Sequence, residues 1–387
     1  MNRRMRLEFQ ADCIEATLAS HRVRGRVSGG TITPRFVRFD LSPAPGTRIR
    51  RISALAEELA LTLNAPTCRV FRRGGRVQVE VPREKPTRVR FQRLCAGLHD
   101  VPACSALLGL DEEGLPVVLR LPSADVAHVL IAGNTGSGKT VLAQTMALSL
   151  AMHNPPRTVQ LALIDPKRRG FGQLGALPHL LTPLIHRPER AAELLERLVS
   201  EMERRDLRAG SAVPCSETSR PRIVVLIDEL ADLMMAGGRA IERPLTRLAQ
   251  RGREAGIHLI ACTQRPSAAV IGGLIKSNFP VRIVGSVASA EDAKVAAGLP
   301  RTGAERLLGK GDFYVIARGQ QFRIQAAYAS PAQVRRLVGR LARAHAPRRP
   351  APQAGDDDEV DTALGCLGQR VARATRRIAH RLPVWAR

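Results

Sequence analysis

The sequence predicts an α/β protein in which a mostly parallel, doubly wound central sheet follows a small α+β domain. Three observations carry this reading. From Val126 onward, short apolar runs (VAHVLIA, VQLALID, RIVVLIDE, IHLIACTQ, VRIVGSV) alternate with helical patterns, as buried parallel strands do. The first run leads into GNTGSGKT, a glycine-rich loop at a strand-to-helix junction. Before residue 122 the pattern differs, mixing two helical stretches with alternating strands.

The elements follow in order. Residues 5–19 set Leu7, Cys13, Ile14 and Leu18 at helical spacing, and Gly29-Gly30 breaks the pattern. TITPRFVRFDL (31–41) alternates as a strand, with Pro34 placing it at an edge or bulge. Ile52, Leu55, Leu59 and Leu63 share one helical face, and VFRRGGRVQVEV (70–81) reads as a Gly-Gly hairpin. These pieces make a domain over residues 1–122, followed by the main α/β unit over 123–345. APRRPAPQAGDDDEVD (346–361) has the Pro, Gly and like charges of a flexible linker. Residues 362–387 form a basic amphipathic helix with Leu364, Leu367, Val371 and Ile378 on one face. It either packs on its own domain or serves as an arm for DNA or a partner.

A chain of 387 residues that is 44% hydrophobic can build two or three cores, which excludes disorder throughout. Sixty Lys and Arg against 35 Asp and Glu leave a net charge of +25, which points to a polyanionic partner and first to nucleic acid. Only six of the basic residues are Lys, a skew produced by a GC-rich genome as readily as by a need for forked donors. One Trp and two Tyr offer little for single-stranded bases to stack on, so duplex backbone contact fits better. Seven widely spaced cysteines without a CxxC pair suggest neither a disulfide framework nor a zinc cluster, and a reduced, cytoplasmic setting follows. No apolar run approaches the roughly 18 residues of a membrane span, so no membrane insertion is expected.

Three motifs carry chemistry. GNTGSGKT satisfies G-x-x-x-x-G-K-[ST]: the backbone amides of Gly133, Asn134, Thr135, Gly136, Ser137 and Gly138 cradle phosphate. Lys139 reaches the β- and γ-phosphates of ATP, and Thr140 ligates Mg²⁺. In RIVVLIDEL an apolar strand delivers two adjacent acids, Asp228 for the Mg²⁺ shell and Glu229 to polarise the attacking water. In IHLIACTQRP a buried strand carries Thr263 and Gln264 to the same edge, where Gln264 either senses the γ-phosphate and orients water or merely caps the strand.

The runs HVLIAGNTGSGKT, LIDPKRRGFGQLGALPHLLTPLI, EMERR, IVVLIDELADLMM, RLAQRGREAGIHLIACTQRPSAAVIGGLIKSNFPVRI and GAERLLGKGDF resemble the motor of the FtsK/SpoIIIE family of double-stranded DNA translocases. TITPRFVRFDLSPAPGTRIRRISALAEELALTLNA is similar to that family's small ring-stacking domain. The resemblance implies a RecA-like P-loop NTPase assembled as a hexameric ring around duplex DNA, with ATP between subunits. It implies that Gln264 is a sensor and that Arg282 is the arginine reaching the neighbour's ATP, with Arg204, Arg205 and Arg253 as competitors. DNA contacts are expected in SVASAEDAKVAAG and GKGDFYVIARGQQ, at Lys294, Lys310 and Arg318. About 26 residues after the linker are too few for the family's winged-helix domain, so plasmid or mobile-element transfer is as consistent as chromosome segregation, with a relaxase, recombinase or division protein as partner. The alternative is a conjugation- or secretion-type coupling ATPase that recruits protein cargo.

Overall fold

The computed structural model describes residues 3–84, 86–98, 100–209, 220–264 and 278–345. The linker 346–361, the tail 362–387, Cys215 and Cys366 lie outside the described residues. The N-terminal unit opens with a helix, Arg3–Ser20, followed by β1 (Gly25–Ile32) and β2 (Phe36–Pro43). TITPRFVRFDL is therefore no single strand. Pro34 has no N–H for a ladder, and Thr33 N–H instead closes a turn on the Phe36 carbonyl at 2.9 Å. The helix expected over 52–63 is two short ones, Ile49–Ala54 and Ala56–Thr62. The Gly-Gly hairpin then forms β3 (Arg69–Arg73) and β4 (Arg76–Pro82). An antiparallel sheet ordered β1-β2-β4-β3 packs Phe39, Leu41, Val77 and Val79 against Ile14, Leu18, Ile52 and Leu59 of the helices.

The second sheet contains β5 (Val89–Arg90), β6 (Ser105–Asp111), β7 (Pro116–Arg120), β8 (Val129–Ala132), β9 (Val159–Ile164), β10 (Arg222–Ile227), β11 (Ile257–Thr263), β12 (Val281–Val284), β13 (Asp312–Ala317) and β14 (Gln320–Tyr328). Its order is β7-β6-β14-β13-β12-β8-β11-β10-β9, with β5 beside β14. The five apolar runs are the parallel block β9, β10, β11, β8 and β12, and an antiparallel wing extends it. The expected division at residue 122 cuts through this wing: β6 pairs Gly109 with Ala326 of β14, so residues 89–120 complete the large sheet. Among the described residues no helix is long and apolar enough to cross a membrane, and the five described cysteines are free.

Strand side chains alternate between faces, so a run that is apolar throughout needs cover on both. Val129, Ile131, Leu161, Leu163, Val224 and Leu226 meet the helices Lys139–His153 and Pro331–Ala344. Leu130, Ala162, Ile164, Ile223, Val225 and Ile227 meet Pro188–Ala209, Leu230–Gly237 and Arg239–Arg251. The two sheets are joined by a buried ion network. Glu80 accepts from Arg38 Nε at 2.9 Å and from Arg323 Nη1 at 3.0 Å, while Arg323 also grips Asp312 at 2.7 Å and Arg38 pairs with Glu112 at 2.9 Å.

Candidate functional site

β11 lies between β8 and β10, so the carboxyl ends of three parallel strands deliver the phosphate loop, the two acids and Gln264 side by side. Between β8 and the helix starting at Lys139, the chain turns sharply at Gly138, whose φ is 103°. A side chain there would be strained, and its Cβ would stand 3.0 Å from the Gly311 amide nitrogen, so glycine is required on both counts. Lys139 is buried, and its Nζ donates to the carbonyls of Gly133 at 2.7 Å and Asn134 at 3.0 Å. Burial lowers the pKa of this ammonium, and Asp228 and Glu229 nearby act against that shift.

Thr140 Oγ1 donates to Asp228 Oδ1 at 2.7 Å. Glu229, 3% exposed, accepts the Gln264 N–H at 3.0 Å on Oε1 and a bond from the Thr263 hydroxyl. Its Oε2 is buried without a hydrogen-bond partner. Lys167 Nζ stands 4.0 Å from that oxygen and is bound to Asp232 at 2.6 Å. Burial raises the pKa of both Asp228 and Glu229. Gln264 Oε1 accepts from Thr135 Oγ1 at 2.9 Å, so one residue ties the phosphate loop to Glu229. Residues 265–277, which complete the TQRP segment, lie outside the described residues.

Sequence reasoning gave no role to LIDPKRRGF, although VQLALID ends in an acid just as RIVVLIDE does. Asp165 is fully buried and accepts the N–H groups of Gly170 at 2.9 Å and Phe171 at 3.0 Å. The loop is folded back onto Asp228: a Cβ on Gly170 would lie 2.7 Å from the Asp228 carboxyl. Gln144 Nε2 donates to the Gly170 carbonyl and ties the loop to the helix after the phosphate loop.

A cavity of about 600 Å³ opens beside Thr135, Gly138, Lys139 and Thr140. Its lining also holds Arg88, whose guanidinium carbon lies 4.6 Å from the Tyr328 ring centroid, together with Arg35 and Lys310. Neither Arg35, Arg88 nor Tyr328 carried a sequence signal. Lys310, expected on DNA, lines this cavity, and its N–H donates to the Gly136 carbonyl at 3.1 Å. The segment GKGDFYVIARGQQ is not one loop. Lys310 precedes β13 and Arg318 follows it, so six strand residues, roughly 20 Å, separate them.

Arg318 pairs with Asp125. Lys294 is exposed on the helix Ala290–Ala297, 3.6 Å from Glu291. Arg282 stands on β12 opposite Leu130 and Ile316. It is 9% exposed, lies against Gly298, and has its pKa lowered by burial. Arg204 and Arg205 pair with Glu201 of their own helix, and Arg253 is exposed ahead of β11.

These residues fit magnesium and a nucleoside triphosphate: a Thr hydroxyl on a carboxylate, a buried ammonium, and a carboxylate oxygen without a donor. Among the described residues no three His, Cys, Asp or Glu cluster as a metal cage. A divalent ion here would share its shell with phosphate oxygens, as Mg²⁺ ordinarily does.

The profile of the FtsK/SpoIIIE family matches residues 98–209 and 208–268, and that of the FtsK alpha domain matches residues 2–83. The DNA translocase FtsK of Lactiplantibacillus plantarum is 35% identical over 382 residues, covering 92% of this chain and 48% of that protein. The DNA translocase FtsK of Staphylococcus aureus is 36% identical over 358 residues, 86% of this chain and 45% of that protein. The chain thus spans about half the length of these relatives. Among solved structures, the pCW3 conjugation coupling protein TcpA, in monomer form with ATPγS, shares the fold with a TM-score of 0.57 at 21% identity, over 85% of this chain and 99% of that one. With both family domains matched in one order over a fold that brings phosphate loop and acids together, this chain belongs to the FtsK/SpoIIIE family and is a P-loop ATPase.

Proposed function

We propose that the chain is an ATP-driven double-stranded DNA translocase, working in the cytoplasm as a homo-oligomeric, hexameric ring. The observation that carries the hydrolytic part is the 2.7 Å contact of Thr140 with Asp228, flanked by Lys139 and the partnerless Glu229 Oε2. The DNA part is supported by the family match over most of the chain and by the +25 charge.

The amides of Gly133 to Thr140 and the Lys139 ammonium hold the phosphates. Thr140 and Asp228 hold Mg²⁺, which neutralises phosphate charge when bound. Glu229, kept more basic by burial, takes the proton of the attacking water on Oε2, and its Oε1 is fixed by the Gln264 amide. Because Gln264 also holds Thr135, a change at the phosphates is felt by the strand between β8 and β10. Arg282 is the trans-acting finger in this reading, released from Gly298 as neighbouring copies close. Arg204 and Arg205 are already committed to Glu201. Lys294 and Arg318 contact DNA phosphates, whereas Lys310 serves the nucleotide side. A relaxase, recombinase or division protein delivers the DNA, from a plasmid, a mobile element or the chromosome.

Steady-state ATPase measured with duplex DNA across a salt series tests the reading, together with displacement of a triplex-forming strand. Stimulation that fades as salt rises, and triplex release that requires ATP, are expected because phosphate contacts release counterions. An ATPase rate indifferent to duplex DNA at low salt, or no triplex release by assembled protein, refutes it.

A further inference from the structure

Arg35 belongs to the turn between β1 and β2 of the small sheet, yet its guanidinium lines the nucleotide cavity of the large one. It is 9% exposed. Nη1 donates to the Gly309 carbonyl and stands 3.5 Å from Gln325 Oε1, and Nε is buried without a partner. Gly309 starts a three-residue strap across the phosphate loop. Lys310 N–H donates to the Gly136 carbonyl at 3.1 Å and Gly311 N–H to the Ser137 carbonyl at 2.8 Å. The strap has three successive left-handed residues, with φ of 65°, 51° and 90°. Backbone in that region keeps its shape only where its surroundings hold it. Arg35 holds the first residue, Gln325 Nε2 the second through the Lys310 carbonyl at 3.2 Å, and Ala326 N–H the third through the Gly311 carbonyl at 2.7 Å.

The electrostatics add a second argument. A buried guanidinium offers five N–H donors, and here it hydrogen-bonds a neutral carbonyl and a neutral amide oxygen, while Asp312 and Arg323 act on it through space with opposite signs. Such a charge is poorly compensated by neutral partners alone. A polyphosphate in the same cavity supplies countercharge beyond that of Asp312. Arg35 is therefore worth more with nucleotide bound than without.

We propose that Arg35 is a positioning residue for nucleotide, through which the small domain clamps the Gly309–Gly311 strap onto the phosphate loop, so that seating of the small domain and nucleotide affinity are one coupled equilibrium. The inference rests on the ATPase reading of the cavity. Coupling of this kind is reciprocal: nucleotide tightens the small domain by the factor with which the seated domain tightens nucleotide. The strap bonds to Gly136 and Ser137, and neither Glu229 nor Gln264 takes part, so the effect falls on affinity and leaves turnover nearly intact.

Arg35→Ala and Arg35→Lys are compared with wild type in the full chain for ATP kinetics, and for amide exchange of residues 36–82 with and without ADP. Arg69→Ala is the control, because it removes another contact between the two sheets, Arg69 Nη1 to the Tyr314 hydroxyl at 3.2 Å, without touching the strap. Arg35→Ala raises KM for ATP about tenfold with kcat within about twofold, the loss of one charged hydrogen bond. Arg35→Lys recovers part of the loss, because an ammonium still donates to Gly309. Arg69→Ala leaves KM unchanged. ADP slows exchange in the small domain of wild type and loses that effect in Arg35→Ala. If Arg35→Ala does not fold, a rise in KM of about threefold in Arg35→Lys decides the matter. Wild-type KM in the Arg35 variants, or an equal rise in Arg69→Ala, overturns the proposal. Failure of wild type itself to bind ATP would instead overturn the ATPase reading, and a dead Lys139→Ala beside an unaffected Arg35→Ala confines the failure to Arg35.

Discussion

Gly170→Ala tests the assignment of Asp228 by steric means alone. The added Cβ would sit 2.7 Å from the Asp228 Cγ and Oδ2, where ordinary contact begins near 3.4 Å, so the carboxylate must retreat by roughly 0.7 Å. Gly170 has no left-handed φ, and the substitution brings no backbone strain. The loop cannot easily yield instead, since Asp165 holds the Gly170 and Phe171 amides and Gln144 holds the Gly170 carbonyl. A retreat of this size breaks the Thr140–Asp228 bond, a charged hydrogen bond contributing about 1.5–3 kcal/mol. That range corresponds to about 10- to 160-fold in rate, and catalytic groups misplaced by about an ångström show comparable losses. The assay is steady-state ATP turnover titrated with magnesium, beside a thermal melt. Turnover falls within that range, half-saturating magnesium rises, and the melting temperature moves little. Gly172→Ala is the internal control, because its Cβ would meet nothing within 4 Å. Wild-type turnover and magnesium dependence in Gly170→Ala would show that Asp228 is not confined by the 165–171 loop.

Glu229→Gln keeps nucleotide binding and lowers turnover by about 10²–10⁴-fold, the usual weight of a general base, as single-turnover kinetics with radiolabelled ATP would show. Burial raises the pKa of Glu229, so wild-type activity rises with pH through a midpoint above the usual carboxylate range; a midpoint at or below the ordinary Glu value counts against the assignment. Glu80→Ala removes the carboxylate shared by the buried guanidinia of Arg38 and Arg323, which keep Glu112 and Asp312, and costs about 1.5–3 kcal/mol in chemical denaturation for the lost charged hydrogen bonds, whereas a loss under about 0.5 kcal/mol would mean that the network is not desolvated. His128 and His258 are buried and held neutral, with pKa values pushed down by burial to about 4 and about 3. The unfolded chain binds these protons near pH 6.5, so stability is complete above that pH and is lost as pH falls toward 4. The His128 share is on the order of 2–3 kcal/mol at pH 4. His128→Asn, which can still accept the Leu259 N–H, flattens the melting temperature against pH; an unchanged profile refutes the assignment.

What was legible in the sequence is what is local in it. Ile223 to Ile227 reads as a buried strand because five adjacent apolar side chains need cover on both faces. GNTGSGKT reads as a phosphate loop because its glycines and lysine work within eight residues. The antiparallel wing was illegible for the opposite reason. Asp111 finds Ile324 as its strand partner, and no pattern within either segment announces the other. Residues 105–120 were therefore assigned to the wrong unit, and the strand over 312–317 was read as a DNA-contact loop. The place of Lys310 beside the phosphate loop was illegible on the same ground, since it depends on a left-handed backbone that brings the chain back over Gly136. The cavity wall of Arg35, Arg88 and Tyr328 comes from three distant stretches, and only folding makes it a wall.

Arg35 bonds the first residue of the strap and Arg323 grips Asp312 just after its last, and their electrical situations differ. Arg323 is saturated: it grips Asp312 and shares Glu80 with Arg38, in a cluster whose Glu80, Asp312 and Glu112 outnumber the two guanidinia. Asp312 in turn accepts the Leu308 N–H at 3.1 Å, so this side fixes where the strap begins. With three acids to two guanidinia, such a cluster has no spare positive charge for an incoming anion, and its contribution is geometric. Arg35 hydrogen-bonds the neutral oxygens of Gly309 and Gln325, and Asp312 acts on it through space. Of the two, Arg35 is the one that lines the nucleotide cavity without a carboxylate hydrogen-bonded to it, and it comes from the domain that does not carry the phosphate loop. The small domain is thus part of the nucleotide site in the electrostatic sense, while the ion network beneath it keeps the two sheets in register whatever occupies the cavity.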